Sequence, residues 1–187
     1  MIEVFDGLIG PNQMQRIHDS IVTAPIWKYG HKSNANKTSR DPYSFWSRTF
    51  CGEVNAMPSD EELKQFDEEW PTISTLWWTL KHKTRHTVSN LYFTRAYGNA
   101  YTYGTGGSIH VDDGDITMLY YSNSTWDVNW AGGTAFYTND KKDTIKKVSY
   151  VPGRLIVFDS KIPHQGFEPA RECDELRTVI VFKCRRE

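Results

Sequence analysis

Hydrophobic positions in the first half of the chain recur at helical spacing. Apolar residues fall three or four positions apart between Pro11 and Val22, which predicts a helix that begins at the proline. Ser59 followed by Glu62 is a capping-box signature and predicts the start of a second helix. A further helical run follows Pro71. The N-terminal half is therefore expected to supply helices, after a short strand within residues 1–10.

The second half changes to short segments rich in Val, Ile, Thr, Tyr and Phe, separated by turn residues. Such segments are typical of strands. They cover residues 88–97, 115–122, 133–138, 145–151, 154–158 and 177–184. Another strand is expected around residues 43–50, inside a long polar stretch at 30–58. Helices followed by a run of strands favour a mainly β fold with supporting α over an alternating βαβ fold.

Length and charge narrow the class of protein. A chain of 187 residues suits one domain, which we expect to divide into a supporting region at 1–87 and a β core at 88–187. The net charge of −1 gives no general electrostatic reason to bind nucleic acid, so that partner is not expected. Local basic clusters are expected to be solvated surface or strand edges rather than polyanion sites. They are Lys141–Lys142, Lys146–Lys147 and Lys183–Arg186.

Cysteine usage and hydropathy bear on the compartment. Three widely spaced cysteines without a CxxC motif favour a reducing environment over a disulfide scaffold or a cysteine-based zinc site. No basic leader-like start and no apolar run of membrane-spanning length are present. We therefore expect a cytoplasmic protein, a monomer, that does not contact membranes.

One short motif suggests a metal site. His110 and Asp112 are two positions apart, so in a strand both side chains would point to the same face. His164, between two predicted strands, is the candidate third ligand. Two histidines and one carboxylate that leave positions open are typical of non-haem Fe(II) oxygenases, whereas zinc favours tetrahedral sites. A His-x-Asp spacing alone is common by chance, so the surrounding sequence must decide whether it marks a metal site.

Other residues of the same types are assigned ordinary roles. Asp113 would point to the opposite face from Asp112, and Asp115 lies beyond a glycine in a turn, so both are expected to be solvated or to support the ligands indirectly. The remaining histidines are expected to be surface or packing residues. They are His18, His31, His82 and His86.

The stretch from about Leu91 to Lys183 resembles the 2-oxoglutarate- and Fe(II)-dependent oxygenase superfamily, in particular its prolyl 4-hydroxylase-like branch. The similarity consists of several motifs that occur in the family's order. They are Arg95–Gly98, the His110–Asp112 motif, Ile116–Asn123, the Gly-Gly turn in Trp130–Thr134, Pro152–Phe158, His164, and Arg177–Phe182.

The resemblance implies a double-stranded β-helix, or jelly roll, packed against N-terminal helices. It implies that Arg177 holds the distal carboxylate of 2-oxoglutarate, because a guanidinium can pair bidentately with a carboxylate. It also implies that Tyr121 donates to that carboxylate and that Tyr97 lines the co-substrate pocket, with Tyr101 and Tyr103 as competitors for the latter role. The thirteen residues from His164 to Arg177 are more than is usual in the branch.

The implied activity is hydroxylation coupled to oxidative decarboxylation of 2-oxoglutarate to succinate and CO2, with Fe(II), O2 and ascorbate as a candidate reductant. The branch favours a prolyl residue in a peptide or protein as substrate. The alternatives are a free amino acid or other small molecule, nucleic-acid demethylation, and a jelly-roll binding module without turnover. Four tryptophans are candidates to stack on a proline ring, although packing is the expected role of any one of them. They are Trp27, Trp46, Trp126 and Trp130.

Overall fold

The computed structural model describes residues 1–34, 41–54 and 56–186. Three helices occupy the N-terminal half. They are α1 (Pro11–Val22), α2 (Asp60–Glu69) and α3 (Pro71–Lys83). The described strands are β1 (Ile2–Phe5), β2 (Lys28–His31), β3 (Phe45–Gly52), β4 (Leu91–Tyr101), β5 (Ile116–Tyr121), β6 (Thr134–Tyr137), β7 (Thr144–Val148), β8 (Leu155–Asp159), β9 (His164–Gly166) and β10 (Arg177–Arg186).

The helices begin at the predicted residues. Helix α1 has Pro11 in its first turn, where the missing N–H is no loss. Helix α2 carries the predicted capping box: the Ser59 hydroxyl accepts from the Glu62 N–H at 3.3 Å, and the Ser59 N–H donates to the Glu62 carboxylate at 2.8 Å. The predicted helical half of the chain is thus confirmed.

The strands form two antiparallel sheets. The larger sheet has seven strands in the order β1-β8-β5-β10-β4-β3-β2, and the smaller has the order β7-β6-β9. Side chains from both sheets meet in one core, and the helices pack on the other face of the larger sheet in a second core. This is the predicted jelly roll supported by N-terminal helices.

Strand β10 separates the two cores. Its Ile180 and Phe182 pack in the helix-side core, and Val179 and Val181 pack in the core between the sheets. Because successive side chains of a strand alternate faces, the first residue of the strand and the residue six positions later share the inner face. Two cations, Arg177 and Lys183, occupy these positions.

Two strands were not predicted. Strand β2 has no buried residue in its four positions and so lacks an alternating pattern, and β9 is only three residues long. The predicted strands at 88–97 and 43–50 are present with shifted ends, as β4 and β3. Of the polar stretch 30–58, residues 35–40 and 55 lie outside the described residues.

None of the helices in the described ranges is long and apolar enough to cross a lipid bilayer.

Candidate metal centre

The three predicted ligands lie together beside the core between the sheets. Donor atoms of His110, Asp112 and His164 are all within 4.8 Å of one another. The two Nε2 atoms address different carboxylate oxygens, at 3.4 Å from His110 to Oδ1 and at 3.3 Å from His164 to Oδ2. Asp112 and His164 are buried, whereas His110 is partly exposed. The group therefore has one accessible side.

Main-chain hydrogen bonds fix the spacing of the ligands. His110 and His164 form an isolated antiparallel bridge, in which each N–H donates to the other's carbonyl, at 3.0 and 2.9 Å. The Asp112 N–H donates to the Ser160 carbonyl at 2.8 Å. Residues 110–112 therefore do not form a regular strand. His110 pairs with His164 in an isolated bridge, and Asp112 makes a separate main-chain hydrogen bond to Ser160 just after β8.

The histidine tautomers suit a metal. Nδ1 of His110 lies 2.8 Å from the Ser108 carbonyl, and Nδ1 of His164 lies 2.9 Å from the Ile162 carbonyl. A carbonyl only accepts, so each Nδ1 is the donor, and in a neutral imidazole this leaves Nε2, the nitrogen that faces Asp112, free to bind a metal. Burial lowers the pKa of His164 despite the opposing charge of Asp112, which favours the neutral, ligating form. The donor set therefore fits a divalent ion held by two nitrogens and a carboxylate.

Lys183 is the residue of this centre that the sequence did not indicate. The basic cluster Lys183–Arg186 is expected from the sequence to be solvated surface or a strand edge, which is wrong for Lys183, since it lies on an inner strand of the larger sheet and only 1% of it is exposed. Its ammonium contacts Asp112 Oδ2, and Thr117 Oγ1 donates to the same oxygen at 2.8 Å. The available signal was its position six residues after Arg177, on the inner face of β10.

Electrostatics keeps this buried pair charged. Burial alone would raise the pKa of Asp112, but the ammonium of Lys183 and the neighbouring histidines hold it well below its ordinary value. Burial likewise acts to lower the pKa of Lys183, and the charge of Asp112 raises it above the usual range. Asp112 is therefore a carboxylate, as a metal ligand must be.

An inner cavity is lined by this group and by Arg177, which is 1% exposed. Arg177 Nε donates to the Gly132 carbonyl at 2.5 Å, and the guanidinium carbon lies 4.8 Å from the Tyr101 ring centre. Among the described residues no carboxylate pairs with Arg177. A buried guanidinium without an anion, in the lining of the same cavity as the metal group, is the charge arrangement that the distal carboxylate of a dianion such as 2-oxoglutarate would neutralise.

The tyrosines proposed for the co-substrate pocket occupy different places. Tyr97 and Tyr101 line the inner cavity, and Tyr103 is 57% exposed. Burial raises the pKa of Tyr101 to about 12, although Arg177 opposes the shift, and burial also raises the pKa of Tyr97. Both hydroxyls are therefore neutral donors at physiological pH.

Tyr121 contacts residues outside the lining of the inner cavity. Its hydroxyl donates to Thr134 Oγ1 at 2.9 Å, and its ring stacks on Tyr150 with centres 4.2 Å apart. It is not among the residues that line the inner cavity, and the Arg177 guanidinium carbon is 5.7 Å from its ring centre. Its predicted contact with the co-substrate stays a prediction.

A second, outer cavity adjoins the inner one. The two share Tyr97, Asn99, Tyr101, His110 and Asp112. The outer cavity also includes residues absent from the inner one, among them His31, Ser33, Arg95 and Asp113. The metal group is thus bordered by two compartments.

The remaining candidates have other roles. Asp113 pairs with Arg95 at 3.1 Å, and Asp115 accepts from the Arg186 N–H at 3.1 Å. In the described part of the chain, none of the four other histidines joins the metal group. The four candidate tryptophans line neither cavity. Trp126 packs edge-on against Trp130, and Trp46 packs against Tyr29.

Comparisons with known proteins support the fold. No family model and no curated protein matches this chain. A 2OG-Fe(II) oxygenase family oxidoreductase from Burkholderia pseudomallei matches at a TM-score of 0.70 and 13% identity, over 100% of this chain and 85% of that one.

Two prolyl hydroxylase structures are also similar. One, from Trichoplax adhaerens in complex with a hypoxia inducible factor peptide fragment, matches at a TM-score of 0.62 and 16% identity, over 97% of this chain and 82% of that one. The other, a viral collagen prolyl hydroxylase from Paramecium Bursaria Chlorella virus-1, matches at 0.61 and 14%, over 100% and 96%. This chain has the fold of 2-oxoglutarate-dependent oxygenases.

Proposed function

We propose that this protein is an Fe(II)- and 2-oxoglutarate-dependent dioxygenase that hydroxylates its substrate. The observation that carries the proposal is the group of His110, Asp112 and His164 in the lining of the same cavity as the buried Arg177. A site that only binds a metal would not require a buried Arg177 in the same cavity. A binding module without turnover would require neither the metal group nor Arg177.

The residues divide the work. His110, Asp112 and His164 would hold the iron, and Arg177 would pair with the distal carboxylate of 2-oxoglutarate, with Tyr101, Tyr97 and Tyr121 as the neighbouring hydroxyls. When bound, iron and 2-oxoglutarate supply the oxidation: the substrate C–H becomes C–OH while 2-oxoglutarate and O2 become succinate and CO2.

The protein contributes orientation and exclusion of water. The main-chain bridge holds the two histidines, the buried lysine holds Asp112, and the apolar side chains Val179 and Val181 line the inner cavity. We treat the whole chain as one oxygenase domain, in which residues 1–87 support the β core at 88–187.

The substrate we propose is a prolyl residue in a peptide or protein. Support comes from the two similar prolyl hydroxylase structures, one of which was determined with a peptide. Hydroxylation of a free amino acid is the second candidate, because the outer cavity is lined by charged and polar side chains.

Anaerobic reconstitution tests the class of reaction. Fe(II) and 2-oxoglutarate together should produce a weak metal-to-ligand charge-transfer band in the wild type, and succinate should form when air is admitted. His110→Ala should abolish both, whereas the exposed His86→Ala should keep both. Absence of the band together with absence of succinate in the wild type would show that the proposal is wrong.

A further inference from the structure

Four side chains of the outer cavity have buried polar atoms without hydrogen-bond partners in the described ranges. The atoms are Ser33 Oγ, Arg95 Nε, Asn99 Oδ1 and Asp113 Oδ2. Buried polar groups in folded proteins nearly always have a partner. Four exceptions in one cavity beside a metal group indicate a place for a molecule that supplies both donors and acceptors.

The orientation of Arg95 depends on a β-bulge in β4. In this strand, Leu91 and Phe93 face the helix-side core. The pairing with β10 matches Phe93 to Cys184 and Arg95 to Lys183, so Thr94 is the extra residue. Without the bulge, Arg95 would share the face of Phe93. Bulges commonly re-aim a side chain next to an active site, and this one turns Arg95 toward the outer cavity.

The pair formed by Arg95 and Asp113 is incomplete. One guanidinium nitrogen of Arg95 contacts Asp113 Oδ1 at 3.1 Å, while Arg95 Nε and Asp113 Oδ2 are buried and unused. The Arg154–Asp6 pair elsewhere is bidentate, with both contacts at 2.8 Å. A purely structural ion pair can thus use both carboxylate oxygens. In the pair of Arg95 and Asp113, one donor (Arg95 Nε) and one acceptor (Asp113 Oδ2) are left available to a bound molecule.

We infer that the outer cavity is a substrate subsite in which Arg95 binds the carboxylate or carbonyl oxygen, and Asp113 the ammonium or N–H, of an amino-acid unit. Guanidinium and carboxylate groups recognise these two groups by charge-assisted hydrogen bonds. Asn99 and Ser33 supply further polar contacts. This inference rests on the proposed function, since it assigns the inner cavity to 2-oxoglutarate and leaves the outer one to the substrate.

An acceptor oxygen for Arg95 and a donor nitrogen for Asp113 are present both in a free amino acid and in a peptide main chain. Two sets of probes separate these sources: the twenty L-amino acids, and the same residues with an N-acetyl and a C-methylamide cap. Each set is mixed with protein loaded with Zn(II) and 2-oxoglutarate, and binding is read by saturation-transfer NMR, which needs no turnover. Signals from the first set indicate a free amino acid, and signals from the second indicate a peptide.

Matched variants test the two residues. Arg95→Met and Asp113→Asn should weaken binding of the detected probe by at least about tenfold, because each removes a charged hydrogen-bonding group. Arg154→Met, which also breaks an Arg–Asp pair, should leave the probe affinity unchanged. The affinity for 2-oxoglutarate should stay the same in all three variants, which separates loss of the subsite from misfolding.

Two results would overturn the inference. One is a detected probe whose affinity is unchanged in both Arg95→Met and Asp113→Asn. The other is the absence of any signal from both sets in the wild type, as expected of a cavity that holds only water. Neither result would touch the proposed function, because the charge-transfer band and succinate formation are measured without a substrate.

Discussion

The ammonium of Lys183 lies against Oδ2 of Asp112, and both side chains are buried in the core between the sheets. The same oxygen faces His164 Nε2 at 3.3 Å. One oxygen of the carboxylate is therefore held by a fixed cation, while Oδ1 faces His110. A metal ion at this group would share Asp112 with a lysine of its own scaffold.

Lys183→Met should destabilise the metal-free protein by about 3 kcal/mol, because it leaves the charge of Asp112 buried without its partner. Addition of Zn(II) should then raise the melting temperature more in the variant than in the wild type, since the metal replaces the missing positive charge. Thermal unfolding with and without Zn(II) measures both effects.

The exposed Lys142→Met is the control and should change neither value. If the wild type gains as much stability from Zn(II) as Lys183→Met does, then the lysine does not compete with the metal for the carboxylate.

Arg177→Ala should separate co-substrate binding from metal binding. Loss of a buried charged partner should raise the dissociation constant of 2-oxoglutarate about 100-fold, while Zn(II) affinity stays near that of the wild type. Calorimetric titrations of each ligand measure the two constants, with Arg85→Ala on the exposed end of the helical region as control. Equal losses of both affinities would mean that Arg177 is structural.

Gly132→Ala should disturb Arg177 indirectly. Gly132 has a φ of +78°, and an added Cβ would lie 3.1 Å from Arg177 Cδ. Gly104 has a similar φ of +84° with nothing near its Cβ position. Both alanine variants should lose about 1 kcal/mol of stability from backbone strain, but only Gly132→Ala should also weaken 2-oxoglutarate binding. Similar affinities in the two variants would contradict the contact.

Tyr121→Phe tests the tyrosine role that the family resemblance implies. Removal of the hydroxyl should cost about 1 kcal/mol of stability through the bond to Thr134, and should weaken 2-oxoglutarate binding about three- to tenfold if Tyr121 reaches the co-substrate. Tyr101→Phe, from the lining of the inner cavity, is the comparison. A loss of stability without a loss of affinity would assign Tyr121 to packing.

Local signals were sufficient for much of the fold. The capping box at Ser59 and the proline at position 11 mark helix starts because they act within one turn. Strand β10 could be predicted from its continuous apolar run, because a strand buried between two cores needs apolar side chains on both faces. Arg177 stands at the start of that run, which favours a buried position for it, but its role comes from the family resemblance.

Residues whose role depends on distant segments could not be found in the same way. Lys183 precedes two further basic residues, so its charge looked like a solvated strand end, although its alternation with Phe182 and Cys184 already placed it on the inner face. Arg95 points toward the outer cavity only because of the bulge at Thr94, and no local sequence pattern predicts that bulge. Its pairing with Asp113 needs β4 and the loop after His110 to meet in space.

The reciprocal hydrogen bonds between His110 and His164 carry a consequence for how this chain can vary. The spacing of the two imidazoles is set by main-chain hydrogen bonds rather than by the fifty or so intervening residues. The loss of chain entropy on bringing the two residues together therefore occurs when the protein folds and not when a metal binds. Loops between them, such as the turn at residues 138–143, can therefore lengthen or change composition while the distance between the two nitrogens stays constant. The loops that contact a substrate can therefore change while His110 and His164 keep their positions as metal ligands.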